Sequence, residues 1–402
     1  MIVCSLALLG SMILHSSCLG QPITPHFDKL STSFLHRSHR TILDSTEQPV
    51  RLKGVNLGGW LLWEEWIWGG GFHSQTHIMD ALTQMSSRED AERFRDSVCF
   101  NYISESDIRK IHDAHMNVVR VPLNWRFFSS TGPDPVYPIG WRVLDSLLAR
   151  CKRHGVYAIL DMHAAPGGNS PYFIADPEKT TLWKLEENKK RCIELWKDIA
   201  DRYKNNPAVG GYDLLNEPIP GKKEDLVDLY GRIIAAIREV DQNHIIVLEG
   251  GNFAKDFSMF KELPAQNMIF EFHFYNWLGG DPVKKMKPYT DLSARLDVPV
   301  WCGEWGENKY DALQNTVNVL EDGKFNFSGW CFWTWKKVPN GYPALNAIVV
   351  TEKWKTLITA SKKPGNRKKI TKEFALGAMK EFLSDIRSQN NKTDETLLNI
   401  LK

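Results

Sequence analysis

The chain has 402 residues, 15 tryptophans and a formal net charge of +2 at pH 7. This length suits one large domain, and a single α/β barrel is a common fold for a chain of this length. The balanced charge argues against nucleic acid or an acidic membrane surface as the main partner. Many of the tryptophans stand beside Gly, His or Glu, a setting that favours stacking on sugar rings over simple core filling.

The N-terminus predicts a secretory signal peptide. Residues 2–14 are apolar, uncharged and too short for a membrane span, and small residues follow from Ser16 to Gly20. Sequons at Asn326 and Asn391 fit a secreted, monomeric glycoprotein, and the second is the better candidate because it lies in a predicted tail. The expected organisation is a signal peptide (1–20), a lead-in segment (21–49), one barrel domain (50–388) and a polar C-terminal tail (389–402).

The cysteines do not form a disulfide framework. Five lie beyond the signal peptide, and an odd number at irregular spacing is not typical of paired cysteines. Cys151 and Cys192 fall on consecutive predicted helices, so one bridge between them stays open. Cys302 and Cys331 each precede a strand-end residue by two positions, and we expect both to be buried thiols that point into the barrel.

From Arg51 the sequence repeats a pattern of strand, turn and helix. The strand-like runs are Lys53–Leu57, Asn117–Pro122, Val156–Met162, Val209–Leu215, Ile245–Glu249, Met268–Phe274, Val298–Gly303 and Phe327–Trp333. The helix-period segments include Trp141–His154, Glu186–Tyr203, Asp225–Val240, Tyr310–Leu320 and, in the C-terminal part, Lys372–Ile386. The pattern predicts an α/β fold, a single (β/α)8 TIM barrel. The fifth connection is the poorest, with Asp256–Phe260 as a short helical turn.

One connection is much longer than the others. The segment from Gly58 to Ser104, between strands one and two, carries Trp60, Trp63, Trp66 and Trp68. Loops of this length are usually functional or disordered, and an aromatic-rich one at a barrel mouth favours function. Because exposed tryptophans promote association, we expect most of the four to pack on the barrel, with one or two left to contact sugar.

Polar side chains end the predicted strands. Strand four stops at Asn216 and Glu217, and Pro218 locks Glu217 at the carboxyl edge. Strand seven ends at Glu304. The other strand-end residues are Arg120, Asp161, His163, His273, Tyr275 and Trp333. Two carboxylates at the ends of barrel strands are the equipment for glycoside hydrolysis.

Taken in the order of their strands along the chain, these motifs resemble those of glycoside hydrolase family 5. Members of that family are retaining β-glycosidases on a (β/α)8 barrel. The match runs from about Arg51 to Lys337. The resemblance implies that Glu217 is the acid/base and Glu304 the nucleophile. It implies supporting or substrate-binding roles for Arg120, His163, Asn216, His273, Tyr275 and Trp333. We expect burial to raise the pKa of Glu217, whereas Arg120 and Tyr275 should keep Glu304 ionised.

The Gly-Gly-Trp-Leu segment near residue 60 further resembles the exo-1,3-β-glucanase branch of the family. That resemblance implies that Glu64 binds the non-reducing sugar, although Glu65 stands where the branch has Pro. We therefore expect hydrolysis of β-glucosidic bonds in a glucan, with β-1,3 linkages favoured over β-1,4. No cofactor, metal or nucleic acid is expected.

Other interpretations remain open. Asp161 and His163 have the spacing of a metal-binding pair, but a strand-end His is more often a hydrogen bonder. His73 and His77 also have helical spacing, although a loop face is the simpler interpretation. Glu249 and Glu271 are further strand carboxylates that could support the site. As a whole, the chain could instead be an inactive carbohydrate-binding barrel, or a β-glycosidase of glucosyl lipid or mannan.

Overall fold

The computed structural model describes residues 32–128, 139–177 and 179–402. The signal-peptide prediction lies outside these residues. The strands are β1 (His36–Ser38), β2 (Thr41–Leu43), β3 (Leu52–Asn56), β4 (Val118–Asn124), β5 (Tyr157–Ala164), β6 (Val209–Asp213), β7 (Ile245–Glu249), β8 (Met268–Tyr275), β9 (Val300–Gly306), β10 (Gly329–Phe332), β11 (Lys336–Lys337), β12 (Asn346–Ala347) and β13 (Lys392–Thr393). Strands β3 to β10 are parallel and close into a barrel in chain order. They correspond to predicted strands one to eight.

Helices surround the barrel. They are α1 (Gln75–Met85), α2 (Arg88–Asn101), α3 (Glu105–Asp113), α4 (Ile139–His154), α5 (Glu186–Tyr203), α6 (Lys223–Arg238), α7 (Gly251–Ala254), α8 (Pro282–Leu296), α9 (Tyr310–Glu321), α10 (Glu352–Ser361), α11 (Pro364–Arg367), α12 (Lys372–Asp385) and α13 (Glu395–Leu401). The fold is the predicted single (β/α)8 barrel. The barrel strands are buried along their whole length except at Tyr275, which explains their nearly continuous apolar runs.

The long connection between β3 and β4 is mostly helical, where the sequence analysis expected a loop. Helices α1 and α2 lie within it. Ser74 and Ser87 cap their N-termini by accepting hydrogen bonds from backbone N–H groups. Ser104 opens α3 with a full capping box that includes Asp107. His77 therefore lies on a helix, not on a loop.

The tryptophans of this insertion pack as expected. Trp60, Trp63 and Trp68 are at most 1% exposed, whereas Trp66 is partly buried. Trp68 contacts the C-terminal helices: its backbone oxygen accepts a 2.9 Å hydrogen bond from Trp354 Nε1 of α10. Trp354 in turn stacks on Phe382 of α12 at 3.7 Å between ring centroids. The insertion and the C-terminal helices thus share one apolar cluster.

The connection between β7 and β8 differs from the predicted turn at residues 256–260. Its helical element is α7, a single irregular turn two residues beyond β7. Asn252 and Phe253 within it have φ of 55° and 61°, outside the helical region. The sequence could not indicate this turn, because neither residue is a glycine.

The two ends of the described chain lie at opposite ends of the barrel. Strands β1 and β2 form an antiparallel pair at the N-terminal end, where Arg37 N donates to Asn267 Oδ1 at 2.9 Å, just before β8. At the carboxyl end, Tyr310 Oη donates to Asp394 Oδ2 at 2.6 Å. The expected polar tail is therefore ordered: β13 pairs with β12, and α13 buries Leu397 and Leu401.

The ordered C-terminus reverses the ranking of the two sequons. Asn391 is partly buried, and its Nδ2 donates to Asp385 O at 2.9 Å. Asn326 is exposed on the loop before β10. Asn326 is therefore the more accessible of the two sequon asparagines. In the part of the chain that is described, no helix is both long enough and apolar enough to span a membrane.

All five cysteines of the described residues are free and buried, so Cys151 and Cys192 are not bridged. Cys331 packs in the cluster at the base of the barrel interior. Cys302 instead packs with the outer layer, contrary to the expectation that it points inward. The reason is a β-bulge in β9: β8 advances two residues from Glu271 to His273 while β9 advances three, from Trp301 to Glu304.

Candidate active site

The carboxyl ends of the barrel strands bring the predicted residues together. They are held by β4 (Arg120), β5 (His163), the turn after β6 (Asn216 and Glu217), β8 (His273 and Tyr275), β9 (Glu304) and the residue after β10 (Trp333), with Glu64 from the insertion. All of them except Tyr275 are buried in the barrel mouth. Tyr275 is partly buried.

Glu304 faces the barrel axis because of the bulge in β9. Tyr275 Oη donates to its Oε1 at 2.6 Å, and Arg120 Nη1 donates to its Oε2 at 3.3 Å. The bulge also brings Gly303 against Glu271, where a Cβ would lie 1.7 Å from Glu271 Oε1. Only glycine fits there, so the packing of Glu271 fixes the turn of chain that presents Glu304.

Glu217 lies opposite Glu304 in a strained turn. Its φ is 42°, a conformation that costs a non-glycine residue energy and recurs at functional sites. The turn is held by Glu249 Oε2, which accepts a 2.6 Å hydrogen bond from Glu217 N. Glu217 Oε1 is 2.8 Å from His273 Nδ1. Oxygens of Glu217 and Glu304 and a nitrogen of His273 all lie within 4.8 Å of one another.

Arg120 is the centre of a buried ionic cluster beneath this pair. It is 0% exposed, and its guanidinium lies within 3.3 Å of five carboxylates. These belong to Asp161, Asp213, Glu249, Glu271 and Glu304. Arg120 Nη2 also donates to Asn216 Oδ1 at 2.9 Å. A buried guanidinium needs such partners, and it fixes the positions of the side chains around it.

The cluster holds more acid groups than cations. Six buried carboxyls, counting Glu217 and Glu304, surround Arg120 and His273, so they cannot all be ionised at once. Burial raises the pKa of Asp161 and of Glu249 to about 7, and raises that of Asp213 well above its usual range. The surrounding carboxylates raise the pKa of His273 well above 6.5, despite its burial. Protons are therefore retained inside the cluster at neutral pH.

The pKa values of the facing glutamates run opposite to the expectation. Burial alone would raise the pKa of Glu217, but the hydrogen bond and charge of His273 lower it overall. Burial raises the pKa of Glu304, and the charge of Glu217 adds to that effect against His273 and Arg120. The sequence analysis was wrong here because it left out the His273 imidazolium beside Glu217. His273 thus stabilises the ionised form of Glu217, whereas burial favours the protonated form of Glu304.

His163 is a hydrogen bonder, as the simpler interpretation held. Its Nδ1 lies 2.7 Å from Asp161 Oδ2, and its ring stacks on Trp333 with 5.5 Å between centroids. Burial and the nearby Arg120 lower the pKa of His163 to about 3, so its ring is neutral. Asp161 Oδ2 also contacts Arg120 Nη2 at 3.1 Å, so His163 Nδ1 and Asp161 Oδ2 are bound to each other and not to a shared third atom.

Glu64 reaches the same mouth from the insertion. It is 3% exposed, and Trp66 Nε1 donates to its Oε2 at 2.7 Å. Burial raises its pKa to about 8, with further contributions from the charges of Glu304 and Glu217. Glu64 is therefore a neutral carboxylic acid below pH 8, able to donate a hydrogen bond as well as to accept one.

Glu65, at the position that departs from the exo-glucanase pattern, has a structural role. It is 0% exposed, accepts from Gly71 N at 2.9 Å, and contacts His73 and Ser361. His73 and His77 stack with ring centroids 4.0 Å apart, and one nitrogen of each ring lies within 4.8 Å of the other and of a Glu65 oxygen. This cluster ties the insertion to the C-terminal helices.

Two contributors to the site were not singled out by the sequence analysis. Asn56, at the end of β3, accepts from Arg120 Nη1 at 3.2 Å through its Oδ1. Asp213, the last residue of β6, accepts from Arg120 at 2.8 and 3.0 Å. Their signal was present in the sequence, since a polar residue inside an apolar buried strand requires a partner. The expected supporting roles of Glu249 and Glu271 are confirmed by their contacts with Arg120.

A parallel barrel with two facing glutamates at the ends of its fourth and seventh strands is the architecture of an O-glycosyl hydrolase. The model of the cellulase family, glycosyl hydrolase family 5, matches residues 43–338. The chain belongs to this family.

Its relatives act on several β-linked saccharides. The chain is 28% identical over 340 residues to a beta-xylosidase of Phanerodontia chrysosporium, with 75% of this chain and 71% of the relative covered. It is 24% identical over 345 residues to a probable glucan 1,3-beta-glucosidase A of Aspergillus fumigatus, with 71% and 82% covered. The crystal structure of a beta-glucanase from Saccharophagus degradans has the same fold, with a TM-score of 0.54, 17% identity, and 90% and 98% covered.

Proposed function

We propose that this protein hydrolyses β-glucosidic bonds of a glucan by double displacement, with retention of configuration at the anomeric carbon. One observation carries the proposal: oxygens of Glu217 and Glu304 lie within 4.8 Å of each other. Retaining enzymes hold their carboxyls about 5–5.5 Å apart, whereas inverting enzymes need about 6.5–9.5 Å to admit a water.

In the first step, Glu304 attacks the anomeric carbon and forms a covalent glycosyl ester. The bond from that carbon to the glycosidic oxygen breaks, and Glu217 transfers its proton to the departing oxygen. Tyr275 and Arg120 support this role of Glu304, because both donate hydrogen bonds to its carboxylate. His273 aligns Glu217 through its 2.8 Å contact.

In the second step, Glu217 removes a proton from water, and the resulting hydroxide displaces Glu304 from the anomeric carbon. Glu304 leaves as a carboxylate and Glu217 regains its proton, so the cycle closes without a cofactor. The two carboxyls share one proton, and catalysis uses the form in which Glu217 holds it. The pKa shifts, downward at Glu217 and upward at Glu304, favour the other form, so the proposal includes a transfer of the proton to Glu217 when sugar binds.

The substrate assignment favours β-1,3-glucan, with β-1,4-glucan next. It is supported by the similarity to probable glucan 1,3-beta-glucosidases and by the Glu64–Trp66 pair at the mouth. In this proposal Asn216 binds the sugar 2-hydroxyl, and the Trp333 ring forms the floor beneath the sugar. A panel of β-1,3-, β-1,4- and mannan oligosaccharides, aryl β-xyloside and glucosyl lipid would rank the linkages and sugars.

Variants of the two glutamates test the mechanism. Glu304→Ala should lose nearly all activity and regain part of it with added azide, since a small anion can replace the missing nucleophile. Glu217→Ala should still cleave activated aryl glycosides, whose leaving groups need no proton, but should lose glucan hydrolysis. The measurements are the rate at which the aryl leaving group is released and the anomeric configuration of the glycosyl azide product. The reverse pattern would contradict the role assignment, and full activity of both variants would contradict the proposed function.

We also propose that the protein acts outside the cell. The apolar stretch at residues 2–14 and the exposed Asn326 sequon support this. Full-length protein expressed in a yeast host should appear in the medium, with an N-terminus near Gln21. An endoglycosidase should reduce its mass, and Asn326→Gln should abolish that reduction, whereas Asn391→Gln should keep it. Retention inside the cells would contradict the proposal.

A further inference from the structure

The C-terminal part of the chain contains a strongly basic segment. Residues 353–372 hold eight lysines and arginines and no aspartate or glutamate. Because the net charge of the whole chain is only +2, the rest of the chain is net negative. The segment is therefore a local concentration of positive charge on an otherwise balanced protein, and such a surface attracts partners of the opposite sign.

Four of these eight cations are already paired or buried. Three lysines form ion pairs with carboxylates, and the single arginine is buried; they are Lys353, Lys355, Lys372 and Arg367. The other four are exposed, and within the described residues their side chains have no ion pair and no hydrogen bond. These four, which we call the lysine patch, are Lys362, Lys363, Lys368 and Lys369. Their ammonium groups remain free to bind an anion.

The lysine patch lies on a folded segment. Its lysines flank α11, and backbone hydrogen bonds join Asn366 N to Lys363 O at 2.9 Å and Lys369 N to Asn366 O at 3.0 Å. Arg367, which is 7% exposed, anchors the segment: its Nε donates to Ser361 O at 2.8 Å and its Nη1 to Gln84 Oε1 of α1 at 3.2 Å. The four ammonium groups therefore extend from one anchored turn.

The composition of the segment indicates which polyanion it suits. Between Ser361 and Thr371 no large apolar side chain is exposed, so nothing there can insert into a lipid surface. No aromatic residue lies between Trp354 and Phe374 to stack on the bases of a single-stranded nucleic acid. The only arginine is buried, although arginine is the residue suited to bidentate contacts with phosphate. Lysines alone, acting as point charges, favour a flexible polymer that carries carboxylates.

The lysine patch lies outside the sugar-binding site but beside the element that lines it. Ser361, the last residue of α10, donates a hydrogen bond to Glu65 through its hydroxyl. Glu65 directly follows Glu64, which reaches the barrel mouth. A polymer bound at the lysine patch would therefore lie against the outer side of the insertion and leave the mouth open.

We propose that the lysine patch is a docking surface for an acidic polysaccharide whose sugars carry carboxylates. The contact is electrostatic and separate from the catalytic glutamates. It holds the protein on a matrix that it does not cleave, with the barrel mouth free to act on a neutral chain mixed into that matrix. The inference goes beyond the proposed function, because docking requires no hydrolysis.

The test compares polygalacturonate with fully methyl-esterified pectin, which has the same backbone without the charges. The full-length protein should bind polygalacturonate and not the ester. Its affinity should fall by about tenfold or more between about 50 and 200 mM NaCl, because binding several charges of a polyanion releases counterions. Replacing all four lysines of the lysine patch with Gln should weaken binding to polygalacturonate by about tenfold or more at the lower salt concentration.

A matched control removes four positive charges from a different face of the barrel. Its Lys→Gln substitutions lie on and beside α5, at Lys184, Lys190, Lys197 and Lys204. This variant should bind polygalacturonate within about twofold of wild type. Both variants should keep the wild-type melting temperature and the wild-type rate on 4-nitrophenyl β-glucoside, since neither set of lysines belongs to the catalytic site.

Four results would overturn the inference. Equal weakening in the two variants would show that only net charge matters. Equal binding of the methyl ester would remove the role of the carboxylates. Tighter binding to phosphatidylserine vesicles or duplex DNA than to polygalacturonate would assign the lysine patch to another class of partner. Failure of the wild-type protein to bind polygalacturonate would leave the lysine patch a solvated surface. Loss of activity on every glycoside substrate, with docking intact, would instead contradict the proposed function alone.

Discussion

Glu64 illustrates how its surroundings change the chemistry of a carboxyl group. The resemblance of its motif implies a sugar-binding residue, and the structure adds a protonation state. It is 3% exposed beside two other glutamates, so burial keeps it neutral up to a pH of about 8. A neutral Glu64 adds no further negative charge beside Glu217 and Glu304, and its carboxyl group can donate a hydrogen bond.

This state predicts a graded response to substitution. Glu64→Ala should lower kcat/KM by an amount equivalent to about 1–3 kcal/mol, the cost of leaving buried hydrogen-bond partners unsatisfied. Glu64→Gln, a neutral isostere, should retain most activity at pH 6. Because the raised pKa preserves the acid form, wild type and Glu64→Gln should diverge only as the pH rises through about 8. Kinetically silent Glu64→Ala, or Glu64→Gln as impaired as Glu64→Ala at pH 6, would contradict this assignment.

Single residues also mark how far the sequence could lead. The meeting of Glu217 and Glu304 at the barrel mouth followed from their strand-end motifs, because the carboxyl ends of parallel barrel strands lie at one end of the barrel. Their relative pKa values could not, since these depend on His273 standing 2.8 Å from Glu217. The inward turn of Glu304 depends equally on the neighbouring strand, where Glu271 fills the space that Gly303 leaves open.

Among the elements, the barrel strands and most outer helices were predictable and the insertion was not. The strands are recognisable because burial on both faces gives them nearly continuous apolar runs. Helix α5 has the bounds that its helical periodicity predicts. The caps Ser74, Ser87 and Ser104 were visible in the sequence. Their helices were nevertheless missed, because the apolar faces of α1 and α2 pack partly on C-terminal helices remote in the chain.

That packing predicts a strong dependence of the insertion on the C-terminus. Trp354→Ala should lower the free energy of unfolding by about 3–5 kcal/mol, because it removes a buried ring and opens a cavity against Phe382 and Trp68. Trp277→Ala is the control, since that ring is 62% exposed and its loss should cost about 0.5 kcal/mol or less. Urea unfolding measures both. Equal losses in the free energy of unfolding for the two variants would show that the packing of the C-terminal helices on the insertion does not stabilise the protein.

For the whole molecule, the buried acid cluster predicts a dependence of stability on pH. Asp161 and Glu249 have pKa values of about 7 when folded, against ordinary values of 3.8 and 4.5. A group whose pKa is raised by folding stabilises fully below its unfolded value, and that stabilisation is lost as the pH rises through the folded value. His273, also raised, acts in the same direction.

The melting temperature should therefore fall as the pH rises from about 5 to about 8. Asp213→Asn should flatten this slope, because it removes one of the carboxyls whose pKa folding raises. The measurement is scanning calorimetry at matched ionic strength. Asp241 acts in the opposite direction: its pKa is lowered to about 2, so its stabilising contribution is lost only in strong acid. A melting temperature that is flat or rises between pH 5 and 8 would contradict the predicted proton retention.

The placement of the chain ends governs how the molecule can be attached to a surface. The backbone N–H of Ser33 donates to Tyr157 Oη at 3.2 Å beneath the barrel, whereas Asp394 is bound beside the mouth. A support coupled on the N-terminal side would leave the mouth facing the bulk liquid, accessible to an insoluble polymer. Coupling through Lys402 would turn the mouth towards the support. We therefore compare two immobilised preparations, one coupled on the N-terminal side and one through Lys402. They should hydrolyse small aryl glycosides at similar rates and particulate glucan at very different rates.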